Sequence, residues 1–301
     1  MPLWIPITIA AAFLQNLRSA LQRDLTSRLD TAGATYVRFL YGWPVALIYL
    51  WLILLVSGSP PPIPVPAFFM YCTVGGMAQV AGTAFLIKSF SFRNFVVGTT
   101  YSKTETAQTA LFGLLILGDT LSLGAGLAIL VSLFGVMAIS VARTELTFGR
   151  ALTAWTERPA LLGLGAGAAF GMSAVSYRAA SLSLGLDSFV LSAAYTLAWT
   201  LGLQTLAATG WLFLRNRAQL LKSLQEWRTA SLVGLAGALG SIGWFSAMTL
   251  QNAAYVRALG QVELVFAFAV SIFWFRERAN RTELAGIILV LTGILGLVLA
   301  H

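Results

Sequence analysis

Histidine and cysteine are almost missing from this chain of 301 residues: there is one of each, His301 at the end and Cys72 inside an apolar run. One cysteine excludes an internal disulfide and a cysteine metal cluster, and its surroundings mark it as a small packed residue. With a single terminal histidine, neither a Ser-His-Asp triad nor a histidine metal site can be built, so most enzyme classes, and any bound metal, are not expected. No Walker motif or other nucleotide-binding run is present, which argues against direct use of ATP and leaves no cofactor to expect. A channel would need a filter-like repeated loop, and none is found. Charge is scarce too, at 10% of residues, with 11 acids against 19 bases. The net charge of +8 is spread over short connections rather than gathered in one patch. Membrane topogenesis accounts for that pattern better than nucleic acid does.

What is abundant is apolar sequence. Hydrophobic residues make up 58% of the chain, in recurring runs of about 20 residues, the length that crosses a hydrocarbon core of roughly 30 Å. The alternating decads of a membrane barrel are absent, and only helices or closed barrels satisfy their backbone in lipid. The expectation is an all-α integral membrane protein with ten spans, at 4–22, 33–56, 67–87, 95–117, 122–142, 160–181, 187–214, 229–250, 255–275 and 283–300. The N-terminal MPLWIPITIAAAFL has no basic n-region and no small-residue cleavage site, and it continues into Gln15 and Asn16; it reads as the first span, not a signal peptide. A polar break over residues 143–158 divides the spans into two sets of five. Five is odd, so a duplicated half would lie upside down relative to its twin, the inverted-repeat plan of secondary transporters. The expected organisation is a first five-helix repeat over 1–145, a connection over 146–158 and a second repeat over 159–301.

Residues 101–135 carry the duplication most plainly. Shifted by 158 positions they meet LGQVELVFAFAVSIFWFRE and the segment ending at Gly293 without a gap. Each copy opens with a glutamate (Glu105, Glu263), reaches an acid fourteen places later (Asp119, Glu277), and a glycine sixteen after that (Gly135, Gly293). Asn94 and Asn252 superpose at the same shift, while Phe13 with Phe170 and Ser19 with Ser176 do so at 157. The order of matches along both halves points to internal repetition.

Loop charges give an orientation. Arg23, Arg28, Lys88, Arg93, Arg143, Arg150, Arg158, Arg215, Arg217, Lys222, Arg228, Arg276, Arg278 and Arg281 follow odd-numbered spans, against Arg178 and Arg257 on the other side. Positive-inside then places the odd loops in the cytoplasm and both termini outside. Within them, RNRAQLLKSLQEWR reads as a short basic amphipathic helix with Leu220, Leu221, Leu224 and Trp227 toward lipid.

These features resemble the drug/metabolite transporter superfamily in its ten-span EamA branch: two five-span halves, the first closing with GDTLSLGAGLAILVSLFGV and the second with FRERANRTELAGIILVLTGIL. The resemblance covers nearly the whole chain, and Arg38 in TYVRFLYGW stands where many members have an arginine. It implies a single-chain carrier of a small metabolite in the cytoplasmic membrane, commonly an exporter. Members usually have cytoplasmic termini, contrary to the loop charges here. Small four-span relatives use a glutamate in their first helix for proton-coupled export; span one here has Gln15, Asn16 and Arg18 and no acid, so that mechanism does not carry over.

Buried carboxylates in membrane segments are functional-site hypotheses because an unpaired charge there is costly. Glu105 shares a helical face with Tyr101, Gln108 and Thr109, a polar stripe that must face protein or water. Lys103, on the opposite side of that helix, needs another partner, for which Glu263 is one choice. These two residues either line a solute cavity or hold neighbouring helices together. Glu263 follows Gly260 and Gln261 and precedes LVFAFAV; it either exchanges a proton during transport or makes a structural hydrogen bond, for instance to Asn252. Arg18, on a face with Gln15, Ser19 and Gln22, either snorkels to the surface or points inward with Arg38, where the two would favour an anion such as a substrate carboxylate. Gln79, Gln204 and Trp244 are further candidates for the wall, the tryptophan better suited to the lipid belt or to packing. Asp119 and Glu277 read as caps or surface pairs. Glycines 163, 165, 167 and 171, and 234, 237, 240 and 243, serve close helix packing or sliding. The expected function is alternating-access secondary transport of a small polar or amphipathic metabolite, coupled to protons through Glu263. The alternative is a non-transporting protein, a lipid-acting enzyme or scramblase using Glu105 and Glu263.

Overall fold

A computed structural model of the chain describes residues 1–25, 27–89, 91–92, 95–142, 154–273 and 280–300. Arg93, Asn94, Arg143, Arg150, Arg276, Glu277, Arg278 and His301 lie outside the described residues. The described residues contain helices and no strand. In chain order they are α1 (Trp4–Leu25), α2 (Thr31–Leu40), α3 (Gly42–Ser57), α4 (Pro66–Ser89), α5 (Phe95–Ser102), α6 (Glu105–Leu117), α7 (Leu123–Ala142), α8 (Arg158–Ser183), α9 (Phe189–Arg215), α10 (Arg217–Gln225), α11 (Trp227–Leu250), α12 (Ala253–Gly260), α13 (Val262–Phe273) and α14 (Arg281–Leu299).

Seven helical stretches among the described residues are long and apolar enough to cross a membrane: Thr31–Ser57, Pro66–Ser89, Leu123–Ala142, Arg158–Ser183, Phe189–Arg215, Trp227–Leu250 and Arg281–Leu299. Three expected spans are not among them. α1 has the length, with 22 residues, but its second half, QNLRSALQRDL, is polar. The spans expected at 95–117 and 255–275 are each broken into two helices. The span expected at 33–56 is one stretch with a joint at Tyr41 between α2 and α3; Pro44 lacks the N–H that would bond the Leu40 carbonyl, and its ring crowds that group.

The chain folds as two compact units, and neither is a sequence half. The first unit takes Met1–Gly76 and Tyr177–Leu250, the second Met77–Ser176 and Gln251–His301, with boundaries inside α4 and α8. In the first, α1 runs antiparallel to α11 over three of the glycines. A Cβ on Gly243 would come within 2.8 Å of the Ala11 Cβ, one on Gly240 within 3.6 Å of the Ala11 carbonyl, and one on Gly237 within 3.2 Å of the Arg18 Cδ. A cluster of Phe39, Ala46, Tyr177, Leu197 and Phe245 forms its interior. Cys72 is buried in a second cluster with Phe68 and Ala180, as a packed residue.

In the second unit the two helices that close the sequence halves, α7 and α14, pack antiparallel with almost nothing between their backbones. A Cβ on Gly135 would lie 2.7 Å from the Gly286 carbonyl, and one on Gly293 2.7 Å from the Ala128 carbonyl. α4 meets α8 at Gly82, where a Cβ would stand 3.2 Å from the Ala166 carbonyl. Gly82 and Gly240 are 158 positions apart, so each unit has a close helix contact at the equivalent glycine.

Candidate functional site

The two broken helices match each other. α5 and α12 are each 8 residues long, and both their ends coincide at a shift of 158. Neither break contains proline. At the first, Ser102 and Thr104 donate their hydroxyls to the Thr99 and Tyr101 carbonyls at 2.8 and 2.6 Å. The main chain tightens with them, Lys103 N–H to the Thr100 carbonyl and Thr104 N–H to Tyr101, both at 3.1 Å. Such bonds to the third residue back replace the α-helical ladder and end it. At the second, Gly260 weakens the helix, and Gln261 N–H bonds the Ala258 carbonyl at 3.2 Å.

Each helix that restarts has a carboxylate in its first turn, Glu105 on α6 and Glu263 on α13, where the positive end of the helix favours it. The cations come from the other sequence half in each case. Arg257 Nε, on the last turn of α12, lies 3.0 Å from Glu105 Oε1, and Lys103 Nζ, in the first break, lies 3.6 Å from Glu263 Oε1. The Arg257–Glu105 approach is off the hydrogen-bonding direction, so it is an ion contact. These four side chains are between 19% and 32% exposed, too buried for water to do all the screening. Gln261 Nε2 donates to Thr106 Oγ1 at 3.3 Å, and its Oε1 is buried with no donor among the described residues. All of this lies in the second unit.

The polar stripe of α6 faces protein. Gln108 Nε2 donates to Thr104 Oγ1 at 2.7 Å and to the Leu164 carbonyl of α8 at 3.3 Å. Tyr101 is buried with Val97, Ala160 and Leu164, and Thr109 Oγ1 bonds the Glu105 carbonyl at 2.7 Å. Gly167 of α8 sits on the break itself: a Cβ there would lie 3.0 Å from the Ser102 carbonyl and 3.1 Å from the Glu105 amide nitrogen. Gly163 meets the Gly98 backbone and Gly171 meets Thr109. Three of the four span-six glycines thus seat the broken helix.

The pairing of Lys103 with Glu263 is the one the sequence suggested. The apolar surroundings expected for Glu263 are not what it has, because a neighbouring helix brings Lys103 to it. Arg257 was missed. It is counted among the loop charges, yet in NAAYVRALGQVE the acid, Glu263, is six residues away and off the three-and-four spacing of a helical face, an argument like the one that singles out Lys103.

The other expected residues lie elsewhere. Gln79, half-buried on α4, belongs to the second unit; Asn16, Arg18, Arg38, Gln204 and Trp244 belong to the first. There Trp244 Nε1 donates to Gln15 Oε1 at 3.1 Å and Gln204 Nε2 to the Tyr177 hydroxyl at 3.2 Å. Asp119 follows Gly118, which has φ 69°, and its N–H caps α6 on the Gly113 carbonyl at 3.1 Å. Leu221 and Leu224 on α10 and Trp227 at the start of α11 are exposed as expected, whereas Ser223 is buried and lies with the half-buried Gln219 near Gly33 of α2. An apolar cavity of about 320 Å³ lined by Trp43, Leu47, Leu50, Trp199, Leu203 and Leu206 offers a polar solute nothing to bond. No group of metal-ligating side chains occurs among the described residues.

Long apolar helices, with two further spans interrupted around buried charge, define a multi-pass membrane protein. Residues 158–299 match the EamA-like transporter family, of the drug/metabolite transporter superfamily. A crystal structure described only as that of a protein is similar in fold at a TM-score of 0.70 and 14% identity, over 98% of this chain and 96% of the other. No curated protein matches the sequence. The family match suggests a membrane transporter of the drug/metabolite type.

Proposed function

We propose that this protein is a secondary carrier that moves a small polar or amphipathic solute across the cytoplasmic membrane by alternating access, outward as an exporter. It does so without ATP, through ten spans arranged as two inverted five-helix repeats, 1–145 and 159–301. The observation that carries the reading is the pair of helix breaks 158 positions apart, each starting a new helix on a carboxylate paired to a cation from the other sequence half. Interrupted helices in transporters free backbone groups and helix ends to meet solute or coupling ions. The antiparallel pairing of α7 with α14 and the equivalent contacts at Gly82 and Gly240 support the inverted duplication.

A cluster of two acids and two bases is neutral, and each pair can open if something else takes a member's place. Lys103–Glu263 is the longer and more exposed of the two. It is the pair at which a coupling proton would take the place of Lys103 on Glu263.

Counter-flow in proteoliposomes tests this, with a solute first found by thermal-shift screening against amino acids, sugars, nucleosides and amines. Glu105→Gln and Glu263→Gln should each lower exchange, or its coupling, with folding intact; Glu263→Gln should keep exchange but lose the response to an imposed pH difference. If both variants behave as wild type the site lies elsewhere. Conversion of a lipid with no solute exchange would replace the carrier by an enzyme.

A further inference from the structure

The connection from α9 to α11 carries positive charge that no acid answers. Arg215 ends α9, Arg217 and Lys222 lie on α10, and Arg228 is the second residue of α11; all four are exposed. Among the described residues none of them has a carboxylate within ion-pair reach. Glu226, the one acid of residues 215–228, is held by Arg28 at 3.0 Å. Asp30, at the start of the neighbouring α2, caps that helix on the Gly33 amide at 2.7 Å and accepts from Asn216 at 3.3 Å. Two of the bases are held over rings instead. Arg217 donates its Nε to the Phe213 carbonyl at 3.0 Å and lies 4.2 Å from the centre of the Phe213 ring, and Arg228 lies 5.6 Å from that of Trp227. Such contacts orient a guanidinium without neutralising it.

The same stretch exposes large apolar side chains. Phe213, Leu214, Leu221, Leu224 and Trp227 are each between 48% and 79% exposed. Along α10, Arg217, Leu221 and Leu224 follow one another at spacings of four and three, on one side of the helix. Ser223 is buried on the other side and Gln219 half-buried. A surface that is basic and apolar at once suits neither bulk water nor the hydrocarbon core. It suits the boundary between them, where tryptophan is also enriched.

The chain keeps α10 at that boundary. α9 and α11 are both long and apolar enough to cross a membrane, and α10 is joined to each through a single residue, Asn216 and Glu226. A helix of 9 residues, about 14 Å long and tethered so closely at both ends, stays where the two spans end. It is also fixed on α2. Gln219 Oε1 accepts from the Asp30 amide at 3.3 Å, and the Tyr41 hydroxyl donates to the Ser223 carbonyl at 3.3 Å. A Cβ on Gly33 would stand 3.3 Å from Ser223 Oγ. All of these residues belong to the first unit.

We infer that α10, with the adjoining ends of α9 and α11, is a docking surface for anionic phospholipid, whose headgroup phosphates are held by Arg215, Arg217, Lys222 and Arg228 and whose acyl chains cover Leu221, Leu224 and Trp227. The unanswered bases select an anionic lipid over a zwitterionic one. The exposed apolar side chains select a lipid over a soluble acidic partner. Each base near an anionic membrane surface strengthens binding roughly fivefold, and salt screens the effect. The site goes beyond the carrier reading and is measured without transport.

Purified full-length protein in a nonionic detergent is heated with short-chain phosphatidylglycerol, with phosphatidylcholine of the same chains, with inorganic phosphate, or with polyglutamate. Phosphatidylglycerol should raise the unfolding midpoint by about 2–4 °C above phosphatidylcholine. That difference should shrink as sodium chloride is raised from about 0.1 M to about 1 M, where the screening length falls from about 10 Å to about 3 Å. The double variant Arg215→Gln with Lys222→Gln removes two exposed bases that have no bond to lose, so it should melt as wild type in detergent alone and lose most of the difference. Arg228→Gln is the second variant and should lose part of it. Lys88→Gln, at an exposed base on α4, should keep it all. Equal rises with the two lipids, or a difference unchanged in both the double variant and Arg228→Gln, overturns the inference. An equal loss in Lys88→Gln makes the effect one of net charge and overturns it as well. A rise with phosphate or polyglutamate as large as with phosphatidylglycerol replaces the lipid by a soluble anion. Solute exchange by a protein with no preference for phosphatidylglycerol would leave the carrier standing and this surface refuted, and the preference without exchange would do the reverse.

Discussion

A glycine is judged by what stands where its side chain would be. At Gly135 and Gly293 a methyl group would meet backbone atoms at 2.7 Å, whereas at Gly126 and Gly210 there is nothing within 4 Å. Gly135→Ala and Gly293→Ala should therefore each destabilise the protein by about 1–3 kcal/mol through overpacking. Gly126→Ala and Gly210→Ala should be neutral or gain up to about 1 kcal/mol of helix propensity. Thermal unfolding in detergent compares the four, and equal losses at all of them would refute the argument. Arg257 gives a second test. Breaking a buried pair by removing one partner leaves a charge stranded, which costs on the order of 2 kcal/mol at this partial burial. Arg257→Gln should cost that much, and the double variant with Glu105→Gln should recover most of it; additive losses would show that the two do not act as a pair. Glu105, Glu263 and Lys103 were legible in the sequence because burial of charge singles them out. The environment of Glu263 was not, since a helical wheel shows only neighbours on the same helix and Lys103 arrives from another.

Helix positions were read well from hydropathy, and the joint at Tyr41 follows from Pro44. The breaks at Lys103 and Gln261 were invisible because no proline marks them. At the first, two hydroxyls and an amide do what proline does elsewhere. Thr104 is central there: its hydroxyl donates to Tyr101 and accepts from Gln108 at 2.7 Å. Thr104→Ser keeps both bonds and should retain solute exchange. Thr104→Ala loses both, at about 1–2 kcal/mol, and should lower exchange by allowing α5 and α6 to run on as one helix. Equal exchange in the two variants would mean that the break is held by something else.

At the scale of the whole chain, the sequence does not say which elements pack together. Similarity between halves suggests two five-helix bodies, whereas each compact unit draws on both. A repeat in sequence says which elements are alike, and packing decides which are neighbours. Orientation is a separate matter, tested by reporters: those fused after residue 301 and within SGSPPPIPVP should lie outside, and those in the segment of α10 inside. The opposite result would favour the family habit of cytoplasmic termini over the loop charges. The seam between α7 and α14 has one further consequence. Lipid tails are as apolar as anything they would replace, so close contact between two backbones in lipid is held by dispersion and is not driven by water. Cooling weakens burial that water drives. It leaves this seam unchanged, and the closest junction of the second unit should be as firm in the cold as in the warm.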